Sequence, residues 1–91
     1  MVEQTFTVID PLGIHARPAT VLIQIANRYS SHINLEFNNK TANLKSIMGV
    51  MSLGIEKDDS FKLLIEGNDE QSAYDALEQT LHKEGLAQPA S

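Results

Sequence analysis

The chain has 91 residues, a formal net charge of −5, no cysteine, and 42% hydrophobic against 21% charged residues. A chain of this size makes one domain, able to bury roughly 60% of the surface its extended form exposes. The composition excludes a disordered tail protein, disulfides, thiolate catalysis and cysteine-based zinc sites. No apolar run approaches the roughly eighteen residues of a membrane span. The opening MVEQTFTVID lacks the basic head and apolar stretch of a signal peptide. These features permit a cytoplasmic location, and no membrane insertion is expected. Charge is unevenly divided: residues 1–55 carry three acids against four Lys and Arg, and residues 56–91 carry nine acids against three. A general nucleic-acid binder needs a basic field, which this chain lacks. The first half can present a small basic area to an acidic partner or a phosphate, or its charges are ordinary solvated ones.

Residues 4–9 alternate, with Phe6 and Val8 to one side and Thr5 and Thr7 to the other, predicting a half-buried strand. Asp10 to Gly13 is a turn cluster. From Ala16 to Tyr29 the recurrence is helical, with Ala19, Leu22, Ile23 and Ala26 on one face and Thr20, Gln24 and Asn27 on the other. Pro18 fits only in a first turn, so this helix starts at about His15 or Ala16. Ile33, Leu35 and Phe37 predict a second strand. Asn38-Asn39 is a hairpin turn signal, and Lys40 to Leu44 returns as a third strand. Ser46 reads as the cap of a short helix through IMGVMS, with Val50 and Leu53 as its buried side. Phe61, Leu63 and Ile65 make a fourth strand. After the Gly67-Asn68 turn, Asn68 and Gln71 form a candidate capping box. Ala73, Leu77 and Leu81 stripe a last helix, closed by Lys83 and Gly85. The order β-α-β-β-α-β-α, with strands apolar on one face only, predicts an α+β two-layer open-faced sandwich. It has a four-stranded antiparallel sheet and three helices on one side. The domain is expected to span residues 1–88, with 89–91 a frayed tail.

The stretch Gly13-Ile14-His15-Ala16-Arg17-Pro18 concentrates the chemistry. The first amides of a helix have no backbone acceptor and lie at the positive end of its dipole, so they attract anions. Pro18 removes one amide and fixes the turn. The backbone amides of Ala16 and Arg17 remain. His15 can supply a nucleophilic imidazole nitrogen, and the Arg17 guanidinium matches phosphate oxygens. The competing reading is a histidine that merely sits as a polar surface group at a helix start. His32 and His82 lie in no metal-ligand spacing, so no metal site is expected.

GIHARPAT at 13–20 resembles the active-site motif of HPr, the histidine-containing phosphocarrier family of the bacterial phosphoenolpyruvate-dependent sugar phosphotransferase system. NLKSIMGVMSLG at 43–54 resembles the regulatory serine motif of the family's Gram-positive members. The resemblance covers nearly the whole chain. It implies that His15 accepts a phosphoryl group on Nδ1 from phosphorylated enzyme I and passes it to IIA domains of sugar permeases. Arg17, the Ala16 amide and the Pro18 turn would assist. It implies a carrier rather than an independent catalyst, with no cofactor and no metal of its own. It further implies that Ser46 is phosphorylated from ATP by the HPr kinase/phosphorylase, and that the product binds the catabolite control transcription regulator. Two features depart from relatives: Pro11 stiffens the turn before the motif, and the first helix has few cations beyond Arg17 and Arg28.

A helix of about six residues cannot hide all of Ile47, Met48 and Met51. Met48 is expected to face solvent with Ile47 at its edge. With Ala16, Thr20 and Gln24 they would form a small adaptable docking patch for these partners. A monomer is the simplest carrier, since His15 must meet two partners in turn. One alternative is a purely regulatory phospho-Ser46 module without transport. Its discriminating feature is His15, which a regulatory paralog of the family lacks. A single-strand RNA binder would need aromatics on the open sheet face, but Phe6, Phe37 and Phe61 share the parity of the core.

Overall fold

A computed structural model describes residues 1–90. The elements are β1 (Val2–Val8), α1 (Ala16–Ala26), β2 (His32–Phe37), β3 (Lys40–Asn43), α2 (Ile47–Met51), β4 (Ser60–Glu66), α3 (Glu70–Lys83) and β5 (Ala87–Pro89). They form one antiparallel sheet in the order β3-β2-β4-β1-β5, with the three helices on one face. The alternation read from the sequence is the alternation observed. Phe6, Val8, Ile33, Leu35, Phe61, Leu63 and Ile65 are buried beneath the helices, and their strand neighbours face outward. Ala19, Leu22 and Ala26 of α1, Val50 of α2, and Ala73, Leu77 and Leu81 of α3 complete the core. Phe6 stacks on Phe61 across the β1–β4 pair with ring centroids 5.7 Å apart.

The β2–β3 hairpin closes through Asn38 and Asn39, with φ of 54° and 65° between the paired residues Phe37 and Lys40. This is the type I′ form of a two-residue hairpin turn, with positive φ at both central positions, and asparagine tolerates it better than most residues. At the far end of α3 the chain stops through a Schellman arrangement. The Gly85 amide donates to the His82 carbonyl (3.0 Å) and the Leu86 amide to that of Leu81 (3.0 Å). Gly85, at φ +63°, takes the left-handed position, and Leu86 is driven into the core.

Three expectations are corrected. The sheet has five strands, not four. Residues 87–89, which include the start of the expected frayed tail, pair with β1 as Phe6↔Pro89, Thr7↔Gln88 and Val8↔Ala87. The Ala90 amide continues the ladder to the Thr5 carbonyl (2.9 Å). Ser91, the last residue of that tail, lies outside the described residues. The strand is short, lies at an edge and carries proline, where proline's missing amide is tolerated. Second, α1 ends at Ala26 rather than Tyr29, because Arg28 and Tyr29 donate to the carbonyls three residues back and tighten the chain out of the helix. Third, the Asn68–Gln71 capping box does not form. Asp69 occupies the cap position and Glu70 reaches back to accept from the Gly67 amide (3.1 Å). The Asp69 side chain goes elsewhere. It accepts from the amides of Ser30 (2.9 Å) and Ser31 (3.0 Å) and from both of their hydroxyls, tying α3 to the segment after α1.

Candidate phosphoryl-transfer site

The site begins in the loop between β1 and α1. Asp-Pro-Leu-Gly at 10–13 is a β-turn. The Gly13 amide donates to the Asp10 carbonyl (2.9 Å), with Pro11 at the position where its fixed φ is preferred. The Leu12 amide donates to Asp10 Oδ1 (2.9 Å), so the carboxylate braces the same turn. Gly13 then takes φ +69° and presses its backbone against residues 55–56. A Cβ there would lie 2.6 Å from the Ile55 carbonyl oxygen, so only glycine fits. The Ile14 amide donates to that same carbonyl (3.0 Å). The chain therefore enters α1 from a fixed direction.

His15 is the N-cap residue of α1, in extended backbone geometry, and its side chain makes no capping hydrogen bond. The imidazole is partly exposed. Its Nε2 lies 3.1 Å from Asp10 Oδ2, and among the described residues Nδ1 has no hydrogen-bond partner. Asp10 is held below the usual carboxylate range, first by the Leu12 amide and then by the bond to His15. Ala16 and Arg17 are the first two helical residues, so their amides have no acceptor within the helix, and both residues are exposed. Pro18 is buried where its absent amide costs nothing. The Arg17 guanidinium makes no ion pair among the described residues. One end of α1 thus brings together an imidazole with a free ring nitrogen, two unpaired amides and a cation. Together they can hold a dianionic group and let it go.

α2 packs beside α1. Its cap is Ser46, whose exposed Oγ accepts from the Gly49 amide (3.2 Å). Val50 and Leu53 point inward, as their spacing implied. The other face is open: Met48 is 81% exposed, Met51 39% and Ile47 37%. Thr20 and Gln24 stand exposed one turn apart on α1. Thr20 Oγ1 donates back to the Ala16 carbonyl (2.8 Å). Leu12, two residues before the motif's isoleucine and 73% exposed, is a further apolar side chain at the site that the sequence reading treated only as part of a turn. Asp10 was likewise read only as a turn residue. The signal that could have found it is the Asp-Pro-x-Gly turn five residues before a histidine, which reverses the chain and returns the carboxylate toward the ring.

Comparison with known proteins agrees with this geometry. Residues 2–83 match the family model described as the PTS HPr component phosphorylation site. The chain belongs to the HPr family. It is similar in structure to a Mycoplasma histidine-containing phosphocarrier protein (TM-score 0.93, 38% identity, covering 96% of this chain and 99% of that one). It is also similar to the phosphocarrier protein HPr of Bacillus anthracis (TM-score 0.80, 39% identity, 87% and 94%). A third likeness is to Crh, the catabolite repression protein of Bacillus subtilis (TM-score 0.72, 40% identity, 92% and 97%). The HPr fold, an open-faced antiparallel sheet covered on one side by three helices, is the fold described above. Among the described residues no helix is long and apolar enough to cross a membrane.

Proposed function

We propose that this chain is a cytoplasmic, monomeric phosphocarrier. His15 Nδ1 takes a phosphoryl group from phosphorylated enzyme I and passes it to IIA domains of sugar permeases. The observation that carries the reading is His15 itself, the N-cap residue of α1, partly exposed and with Nδ1 unengaged among the described residues, at the helix end whose first amides, those of Ala16 and Arg17, have no acceptor. Phosphoryl transfer asks little covalent chemistry of the protein. Charge spreads over three oxygens in the transition state, so catalysis is positioning plus electrostatic stabilisation. The two amides and the Arg17 guanidinium supply that charge without a metal. Arg17 is exposed, so it can follow the group from one partner to the next.

Ser46 gives the carrier its regulation. The HPr kinase/phosphorylase transfers a phosphoryl group from ATP to Oγ, and the phosphoserine form engages the catabolite control transcription regulator. A dianion at a helix cap meets favourable amides, so the fold tolerates it. On the outside it adds charge beside the Met48 patch and opposes docking of acidic partners. Ile47, Met48, Met51, Thr20 and Gln24 are the docking surface.

The test is incubation with enzyme I and labelled phosphoenolpyruvate. The chain should take up acid-labile, base-stable label, and His15→Ala should take up none. An unlabelled intact chain, or label that persists in His15→Ala, overturns the reading.

A further inference from the structure

The Asp10 carboxylate is bound twice, and the two bonds differ in kind. Oδ1 is held by the Leu12 amide (2.9 Å) and Oδ2 faces His15 Nε2 (3.1 Å). The backbone that carries Asp10 is itself anchored. Its amide donates to the Leu86 carbonyl (3.3 Å), as does the amide of Ile9 (2.9 Å), and its carbonyl accepts from Gly13. The carboxylate therefore cannot swing away from the ring without losing its bond to the Leu12 amide.

From this arrangement we infer that Asp10 is the positioning residue that fixes the tautomer of His15. The inference rests on His15 being the phosphoryl acceptor. An ionised carboxylate can only accept, so the proton between the two groups sits on Nε2. Asp10 is held in the ionised form by its amide partner, which secures that role. In a neutral ring the other nitrogen, Nδ1, then carries the in-plane lone pair. This is the nitrogen that Asp10 leaves free, on the residue that opens α1. The opposite tautomer would present an N–H there and would have to lose it before bonding to phosphorus.

The step balances without a proton leaving the ring. The Nδ1 lone pair forms the N–P bond, the bond from phosphorus to its donor breaks, and that electron pair leaves with the donor. His15 keeps its Nε2–H and acquires positive charge, which the Asp10 carboxylate faces directly. When the group is handed on, the pair returns to Nδ1 and the ring is neutral again. Asp10 thus serves both directions of a reversible transfer. It orients the acceptor before the group arrives and stabilises the imidazolium while the group is held.

The decisive variant is Asp10→Asn. Its carbonyl oxygen can keep the Leu12 amide, so the turn survives. Its amide nitrogen then faces Nε2 as a donor and favours the wrong tautomer. Nitrogen-15 NMR of the ring, recorded on the unphosphorylated chain at a pH where the imidazole is neutral, reads the tautomer directly. The expected result is Nε2–H in the unaltered chain and a shift toward Nδ1–H in Asp10→Asn. Transfer from phosphorylated enzyme I should fall on the order of tenfold or more, with the dependence on enzyme I concentration unchanged. An Nδ1–H tautomer in the unaltered chain overturns the inference even if the variant fails to fold. So does a variant that folds and keeps both tautomer and rate. Failure of the carrier reading is distinguishable: the unaltered chain would then take no label while its tautomer signature stayed as described.

Discussion

Replacing Met48 separates docking from folding, because the side chain is 81% exposed in the free protein. Its removal forfeits little packing, and surface changes of this kind cost within about 0.5 kcal/mol. On the proposed docking role, the same side chain is buried in a complex. Covering a methionine side chain completely is worth about 1.5–3 kcal/mol, which is on the order of a tenfold to hundredfold change in affinity. Met48→Ala removes most of that contribution while leaving the helix intact. Met48→Asp adds the cost of burying a charge, while its carboxylate near the start of α2 is tolerated by the free amides there. Thermal melting and the enzyme I concentration needed for half-maximal transfer should be measured on both. Melting temperatures should stay within a few degrees of the unaltered chain. The half-maximal concentration should rise for Ala and rise further for Asp. Val50→Ala is the control in the same helix, since Val50 is buried. Deleting its two methyls costs about 1.5–2 kcal/mol, or a fall of about 6–16 °C for a domain of this size, with docking little changed. If Met48→Asp lost stability and transfer together, or if neither variant moved the half-maximal concentration, the patch would not be the docking surface.

Two further outcomes follow from the caps and ties of the fold. Ser46→Ala loses the bond to the Gly49 amide and should cost about 1 kcal/mol, whereas Ser46→Asp keeps an acceptor at the cap. Asp should therefore melt close to the unaltered chain yet take label from enzyme I several-fold more slowly, and an equally slow, well-folded Ala variant would refute the charge explanation. Asp69 accepts from Ser30 and Ser31, and these bonds hold its carboxyl down to about 2 from the ordinary 3.8. A lowered carboxyl stabilises the fold fully above its unfolded value and loses that contribution as pH falls through the folded one. Asp69→Asn should accordingly melt lower at neutral pH, and the gap in melting temperature should close as the pH drops from about 4 to about 2; a gap that ignored pH would contradict the assignment.

What the sequence disclosed is what nearest-neighbour physics controls. Phe6 and Val8, Ile33 and Leu35, and Phe61, Leu63 and Ile65 alternate, so each strand announces its buried face without reference to any other strand. Pro18 marks the first turn of α1, the two asparagines mark the hairpin, and Ser46 marks the start of α2, each through a local conformational demand. The elements that escaped depend on partners far along the chain. Ala87-Gln88-Pro89 has little strand propensity and extends only because β1 offers an open edge. Asp69 carries no local signal, because the donors that claim it lie 38 and 39 residues earlier. Tyr29 continues the helical stripe in sequence, and its ring is half-buried against the core, yet its backbone has already left the helix. At the site, GIHARPAT located His15 and Arg17, but Asp10 entered only through the reversal of the turn.

The placement of His15 is in this sense a property of the whole fold. The Leu86 carbonyl holds the amides of Ile9 and Asp10, and the Ile55 carbonyl holds that of Ile14. The Asp58 amide donates to the Val8 carbonyl (2.9 Å) just before the loop begins. Two segments distant in sequence, residues 55–58 and Leu86, thus clamp the loop that delivers the imidazole to the helix start. Transfer by positioning tolerates little looseness, since a misplacement of about 1 Å can cost on the order of a hundredfold in rate. A loop closed only by its own turn would have that freedom. Clamping it from behind leaves the outward side, with Leu12, His15, Ala16 and Arg17, clear for a partner. The Schellman stop at Gly85 that turns Leu86 into the core also sets the carbonyl on which Ile9 and Asp10 hang. The C-terminal end of α3 and the loop into α1 are therefore linked through the Leu86 peptide group, and the segment that carries His15 is anchored in part on the end of the last helix.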